Sequence, residues 1–146
     1  MKFILGIDPD KGWCLVRDGE ISSAGTVKGI PALKKIIADC GSFCRDGRVD
    51  LLVRIERPTN LKTFPRPGLS HAAMMKIARN VGMNYEKCEE LGRFCGTLGM
   101  CYEFVAPSRK KWGKIPAKEF ARLTGYQGRT SEHSRDAIAI ALRKVV

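Results

Sequence analysis

The chain begins with a continuous apolar run, Phe3-Ile4-Leu5-Gly6-Ile7, that ends on a carboxylate, Asp8. A short apolar run closed by a turn predicts a buried strand, here over residues 3–8. Pro9-Asp10-Lys11-Gly12 supplies the turn, and residues 13–17 form the next strand. Asp18-Gly19 follows at once and is a strong two-residue hairpin signal, so residues 20–27 return antiparallel and complete a three-stranded meander. Pro31 opens a helical pattern with Leu33, Ile36, Ile37 and Cys40 on one face and Gly41 near its end. Leu51-Leu52-Val53-Arg54-Ile55-Glu56 is then a second apolar strand that ends on a carboxylate.

Residues 57–68 hold three prolines, three basic residues and no acid, which predicts a loop. Met74, Ala78, Val81, Tyr85, Cys88, Leu91 and Cys95 recur at three-to-four spacing and predict a long amphipathic helix over residues 70–96. A short strand follows at 101–105, then basic helical or turn pieces through 107–129, and Ser131 is placed to cap a last helix running to about Arg143. The order βββαβαβα describes an α/β domain with a mixed sheet, and 146 residues suit a single domain over 1–146.

This pattern sets carboxylates at the ends of two apolar strands, Asp8 and Glu56. On the last helix His133 and Asp136, three apart, project from one face near its N-terminal end. The run Asp136-Ala137-Ile138-Ala139-Ile140-Ala141-Leu142 suits close packing on a sheet, which aims His133 and Asp136 at the strand ends. Oxygen-rich clusters of this kind hold Mg²⁺ or Mn²⁺, and two such ions clamp an in-line displacement at phosphorus. Each residue alone has a plainer reading. Asp8 can cap a turn, Glu56 can pair with Arg54 or Arg57 at the surface, Asp136 can favour a helix N-terminus and His133 can be solvated. The four together, in a basic chain poor in acids after residue 50, point to one site.

Charge narrows the substrate class. The net charge is +11 with pI near 9.7, and the excess grows along the chain: 8 Lys/Arg against 7 Asp/Glu over residues 1–50, 8 against 4 over 51–100 and 10 against 4 over 101–146. A polyanion is the natural partner, because neutralising phosphates releases condensed counterions. No apolar run approaches the length of a bilayer span and no signal-peptide layout is present, which predicts a soluble cytoplasmic protein with no membrane partner. The six cysteines, at 14, 40, 44, 88, 95 and 101, lack C-x-x-C spacing and paired histidines, so they read as reduced thiols, mostly in the core.

In this order, "ILGIDPD", "LLVRIERP" and "SEHSRDAIAIAL" resemble the motifs of RuvC-type Holliday-junction resolvases, within the RNase H-like nuclease superfamily. The resemblance covers most of the chain. It implies an RNase H-like fold, a five-stranded mixed sheet with its first three strands antiparallel, flanked by helices. It also implies a homodimer in a bacterial or phage-infected cell that nicks two strands of a four-way DNA junction with Mg²⁺ or Mn²⁺, two ions per site. Carried over by motif, Asp8, Glu56, His133 and Asp136 are the metal-binding residues, His133 standing where many members have Asp. Lys118 and Lys111 resemble lysines set against the scissile strand, the plainer reading being charge that steers phosphate, and Arg57, Lys62, Phe64, Arg66, Arg109, Lys110, Lys111 and Lys114 are the DNA-contacting candidates. Phe64 either stacks on an opened base or anchors its loop. One departure is Asp10, where the family usually has Gly; the proline-rich loop after Glu56 is another. Two rivals stand beside this reading: a nuclease of the same fold that cuts flaps or RNA–DNA hybrids, and a non-catalytic nucleic-acid-binding module.

Overall fold

Alternation of side chains along each strand decides which residues meet which helix. The structure, a computed structural model, describes residues 2–43, 50–58, 67–107 and 112–143. Strands β1 (Lys2–Asp8), β2 (Gly12–Arg17), β3 (Glu20–Thr26), β4 (Asp50–Glu56) and β5 (Cys101–Val105) form one sheet in the order β3-β2-β1-β4-β5. β1, β2 and β3 pair antiparallel, while β4 runs parallel to both β1 and β5. The expected mixed sheet with its leading meander is therefore present. At the hairpin both Asp18 (φ 47°) and Gly19 (φ 87°) are left-handed, as a tight two-residue turn between twisted strands requires. A bulge at Leu15/Val16 shifts the β2–β3 register by one residue.

Leu5 and Ile7 of β1 and Val53 and Ile55 of β4 face the helices α1 (Ile30–Phe43) and α2 (His71–Thr97), meeting Leu33, Ile37, Cys88, Leu91 and Cys95 in one core. The alternate positions face α3 (Ala117–Thr124) and α4 (Glu132–Leu142). There Cys14 and Val16 of β2 pack with Phe120, Ala137, Ile138 and Ala141, and Ile4 lies against them. The sheet is thus covered on both faces, and β1 contributes to both cores. Of the described cysteines, Cys14, Cys88 and Cys95 are buried in these layers, and burial pushes their thiols up to about 12, 11 and 11 respectively. Cys101 is exposed, and all the described cysteines are free thiols.

The long helix forms over the expected residues, but only its second half packs in the core. Cys88, Leu91 and Cys95 are buried, but upstream the stripe leaves the core: Met74 and Val81 are only half-buried, Ala78 and Tyr85 are exposed, and the flanking Met75 and Met83 are each 55% exposed. The helix is 27 residues and so about 40 Å long, more than the sheet can cover, and its first half extends past the strands that α2 packs on. Two glycines of α2 separate these regimes. Gly82 has open space around it, so Gly82→Ala is expected to stabilise the fold by up to about 1 kcal/mol through helix propensity. A Cβ on Gly92 would lie 2.7 Å from Phe104 Cζ and 2.9 Å from Tyr102 Cε2, so Gly92→Ala is expected to cost about 1–3 kcal/mol. Urea denaturation of the two variants checks this difference in sign.

Candidate metal centre

Asp8 is the last residue of β1, and its carbonyl accepts a hydrogen bond from the Lys11 amide (3.1 Å) as the chain turns into β2. The turn passes through Asp10 at φ 66°, a left-handed conformation that glycine adopts freely and aspartate better than most residues. This accounts for the departure from the usual glycine there. Asp10 also pairs with Lys87 of α2 at 2.7 Å, and the hydrogen bond from Lys87 holds its carboxyl below the ordinary carboxylate range.

The last helix starts where expected. Ser131 caps it, accepting from the Ser134 amide at 3.2 Å, while the Ser134 hydroxyl accepts in turn from the Ser131 amide at 2.7 Å. Glycine lets α4 lie close on the sheet: a Cβ on Gly6 would lie 2.5 Å from the Ala137 carbonyl oxygen, and one on Gly12 would lie 2.5 Å from that of His133. The far end of α4 is held by Arg54, a buried side chain on β4. Its guanidinium donates to the Ala141 carbonyl at 3.0 Å and to the Arg143 carbonyl, and pairs with Glu103 of β5 at 2.6 Å. Arg54 is therefore engaged in the interior, with a side chain that is almost fully buried.

This docking brings Asp8, His133 and Asp136 together, each offering one ligand atom and all three atoms within 4.8 Å of one another. His133 Nδ1 lies 4.0 Å from Asp8 Oδ2. Asp136 Oδ1 accepts the Gly113 amide at 2.8 Å, and the neighbouring Arg135 donates to the Gly113 carbonyl at 3.0 Å. The 3-10 turn Trp112–Lys114 is thereby pinned to α4 from both sides of one residue. Ligands at about 2.1 Å from an octahedral cation stand about 3 to 4.2 Å apart, so two carboxylates and an imidazole at these separations fit a small divalent ion after little inward movement.

Glu56 stands on the adjacent strand. Ile7 pairs with Ile55 in the parallel register, so Glu56 follows beside Asp8, on the face opposite Ile55 and shared with Arg54. It is not within the 4.8 Å group of the other three. The acid next to His133 is matched: Glu132 pairs with Lys114 at 2.6 Å, and that hydrogen bond holds its carboxyl below the ordinary range. Lys114 is thus already engaged at the start of α4, while Lys118 is exposed in the first turn of α3. Arg57 pairs with Glu89 at 2.6 Å. Lys62, Phe64, Arg66, Arg109, Lys110 and Lys111 lie outside the described residues.

A structure of T. thermophilus RuvC in complex with Holliday junction substrate superposes on 97% of this chain and 91% of its own, with TM-score 0.54 and 19% identity. The chain has the RuvC fold. A second Thermus thermophilus RuvC structure matches 96% of this chain and 91% of its own at TM-score 0.47 and 18% identity. No protein-family model and no curated protein matches the chain by sequence.

The two buried arginines are the site residues that sequence reasoning missed, because charged side chains default to the surface. Arg54 carried a signal, as a lone cation between Val53 and Ile55 in an apolar strand. Arg135, beside Asp136 on a helix, carried none.

Proposed function

We propose that this protein is a divalent-metal-dependent DNA endonuclease that resolves four-way junctions by paired nicks as a homodimer. The observation that carries the reading is the convergence of Asp8, His133 and Asp136 at the end of β1, on a fold shared with a RuvC solved on a Holliday junction. A net charge of +11 supports a nucleic-acid substrate. The half of α2 that runs past the sheet, with Met75 and Met83 exposed, is the surface we assign to the two-fold contact.

Asp8, His133 and Asp136 would hold one Mg²⁺ or Mn²⁺, and Glu56 with Asp8 a second. When bound, such ions activate water and neutralise charge at phosphorus. Water adds to phosphorus as the bond to the 3′ oxygen breaks, leaving 5′-phosphate and 3′-hydroxyl ends. The residues' task is orientation: the Gly113 amide fixes one oxygen of Asp136 and leaves the other for the metal. We assign Lys118, exposed on α3, as the lysine that would approach the scissile strand.

Matched four-way junction, flap, RNA–DNA hybrid and linear duplex substrates, incubated in Mg²⁺ and Mn²⁺ with nicks mapped on every strand, test the reading. Paired nicks on opposing strands near the crossover are the expected result. Faster cutting of the flap or hybrid overturns it in favour of another nuclease of this fold, and binding without metal-dependent cleavage overturns it in favour of a binding module.

A further inference from the structure

Three residues on one face of α2, Tyr85, Cys88 and Glu89, grip the end of β4. Cys88 Sγ donates to the Glu56 carbonyl at 3.3 Å. The Arg57 guanidinium pairs with Glu89 at 2.6 Å and lies over two rings, 4.2 Å from the centre of Phe104 and 5.2 Å from that of Tyr85. The Arg57 amide donates to the Val105 carbonyl at 2.9 Å, extending the β4–β5 pairing one residue beyond Glu56. Glu56 thus has a carbonyl held by α2 and a following residue held by both β5 and α2.

We propose that Arg57 is a positioning residue whose clamp on Glu89, Phe104 and Tyr85 fixes the Glu56 carboxylate beside Asp8. The proposal rests on the endonuclease reading for its effect on turnover. Three features favour it over a phosphate contact. The Arg57 side chain is about 70% buried, and its guanidinium is already ion-paired. A flat guanidinium stacks on ring faces more extensively than a compact ammonium does, and here it lies over two. The same turn of α2 also holds the end of β1, through Lys87 and Asp10 at 2.7 Å, so one helical segment braces the chain just past both strand-end carboxylates. A catalytic group displaced by about 1 Å loses up to roughly a hundredfold in rate, which is why such a brace matters.

The test compares Arg57→Gln, Glu89→Gln and the double variant in single-turnover junction cleavage, in junction affinity across a salt series, and in hydrogen exchange at the Arg57 amide. Glu89→Gln removes the clamp's anchor without touching Arg57, so it stays informative if Arg57→Gln fails to fold. Each single variant is expected to cleave roughly ten- to a hundredfold more slowly with unchanged affinity and salt slope. The double variant is expected to be no slower than either, because both changes break one interaction. Weakened binding in Arg57→Gln, with a salt slope smaller by about one and normal cleavage by Glu89→Gln, overturns the clamp and makes Arg57 a phosphate contact. Wild-type rates in both variants overturn it as well. If the wild-type protein cuts no branched substrate, the endonuclease reading fails by itself. The clamp is then judged by exchange alone: faster exchange at Arg57 in Glu89→Gln supports it, and unchanged protection refutes it.

Discussion

Asp8→Asn is expected to lose at least about three orders of magnitude in junction cleavage, equivalent to roughly 4 kcal/mol of transition-state stabilisation, while still binding the junction. Asparagine keeps the shape of the side chain and so preserves packing at this buried position, but it removes the charge that the cluster of Asp8, His133 and Asp136 needs to hold a divalent ion. Junction affinity is expected to hold or rise, because one negative charge facing phosphate is gone. A second readout does not depend on cleavage. Mn²⁺ that binds only the folded protein raises its melting temperature, and Asp8→Asn is expected to lose most of that rise. A variant that cuts at the wild-type rate in Mg²⁺ and keeps its Mn²⁺ stabilisation removes Asp8 from the site.

Gly6→Ala is expected to be the most damaging single-methyl change among the described residues. The new Cβ would lie 2.5 Å from the Ala137 oxygen, 2.6 Å from the Ala141 nitrogen and 2.7 Å from the Ala141 Cβ. Backbone of a packed helix cannot rotate aside as a side-chain tip can, so α4 must lift from the sheet. That movement loosens Ala137, Ile138 and Ala141 from their core and strains the hydrogen bonds that Arg54 makes at the C-terminal end of α4. We expect a loss of about 3 kcal/mol, the upper end of overpacking costs, or on the order of 10 °C in melting temperature for a chain of this size. Because α4 carries His133 and Asp136, whatever remains folded is also expected to bind Mn²⁺ poorly. Thermal melting with and without Mn²⁺ checks both parts, and a wild-type melting curve refutes them.

Gly19 and Gly6 show where sequence reading succeeds and where it stops. Alternation and turn chemistry are local, so the meander, the Asp18-Gly19 hairpin and the cap at Ser131 were legible without coordinates. Asp8 and Glu56 could be placed because a carboxylate closing an apolar run must sit at a strand end. The role of Gly6 was not legible, because it depends on which helix crosses β1, and that partner lies about 130 residues downstream in the chain. How much of the stripe on α2 meets the sheet was not legible for a related reason. Spacing shows that Met74, Ala78, Val81 and Tyr85 share one side of a helix with Cys88, Leu91 and Cys95, but not how far the covering sheet extends. Arg57 was legible as a cation in a basic loop, while its partner Glu89 and the ring of Phe104 come from separate elements.

The docking of α4 on β1 also bears on when the protein can act. Asp8 leaves the ribosome well before His133 and Asp136, which lie more than 120 residues downstream. Until α4 packs, Cys14, Val16 and Ile4 lack the cover that Ala137, Ile138 and Ala141 provide. A chain still in synthesis can pair β1 to β5 and expose its basic surface, but it holds Asp8 without the two partners that complete the cluster. On the proposed endonuclease reading, the step that seals the second core would also complete the cluster of Asp8, His133 and Asp136, so a chain still lacking α4 would carry the charge to bind nucleic acid but not the means to cut it.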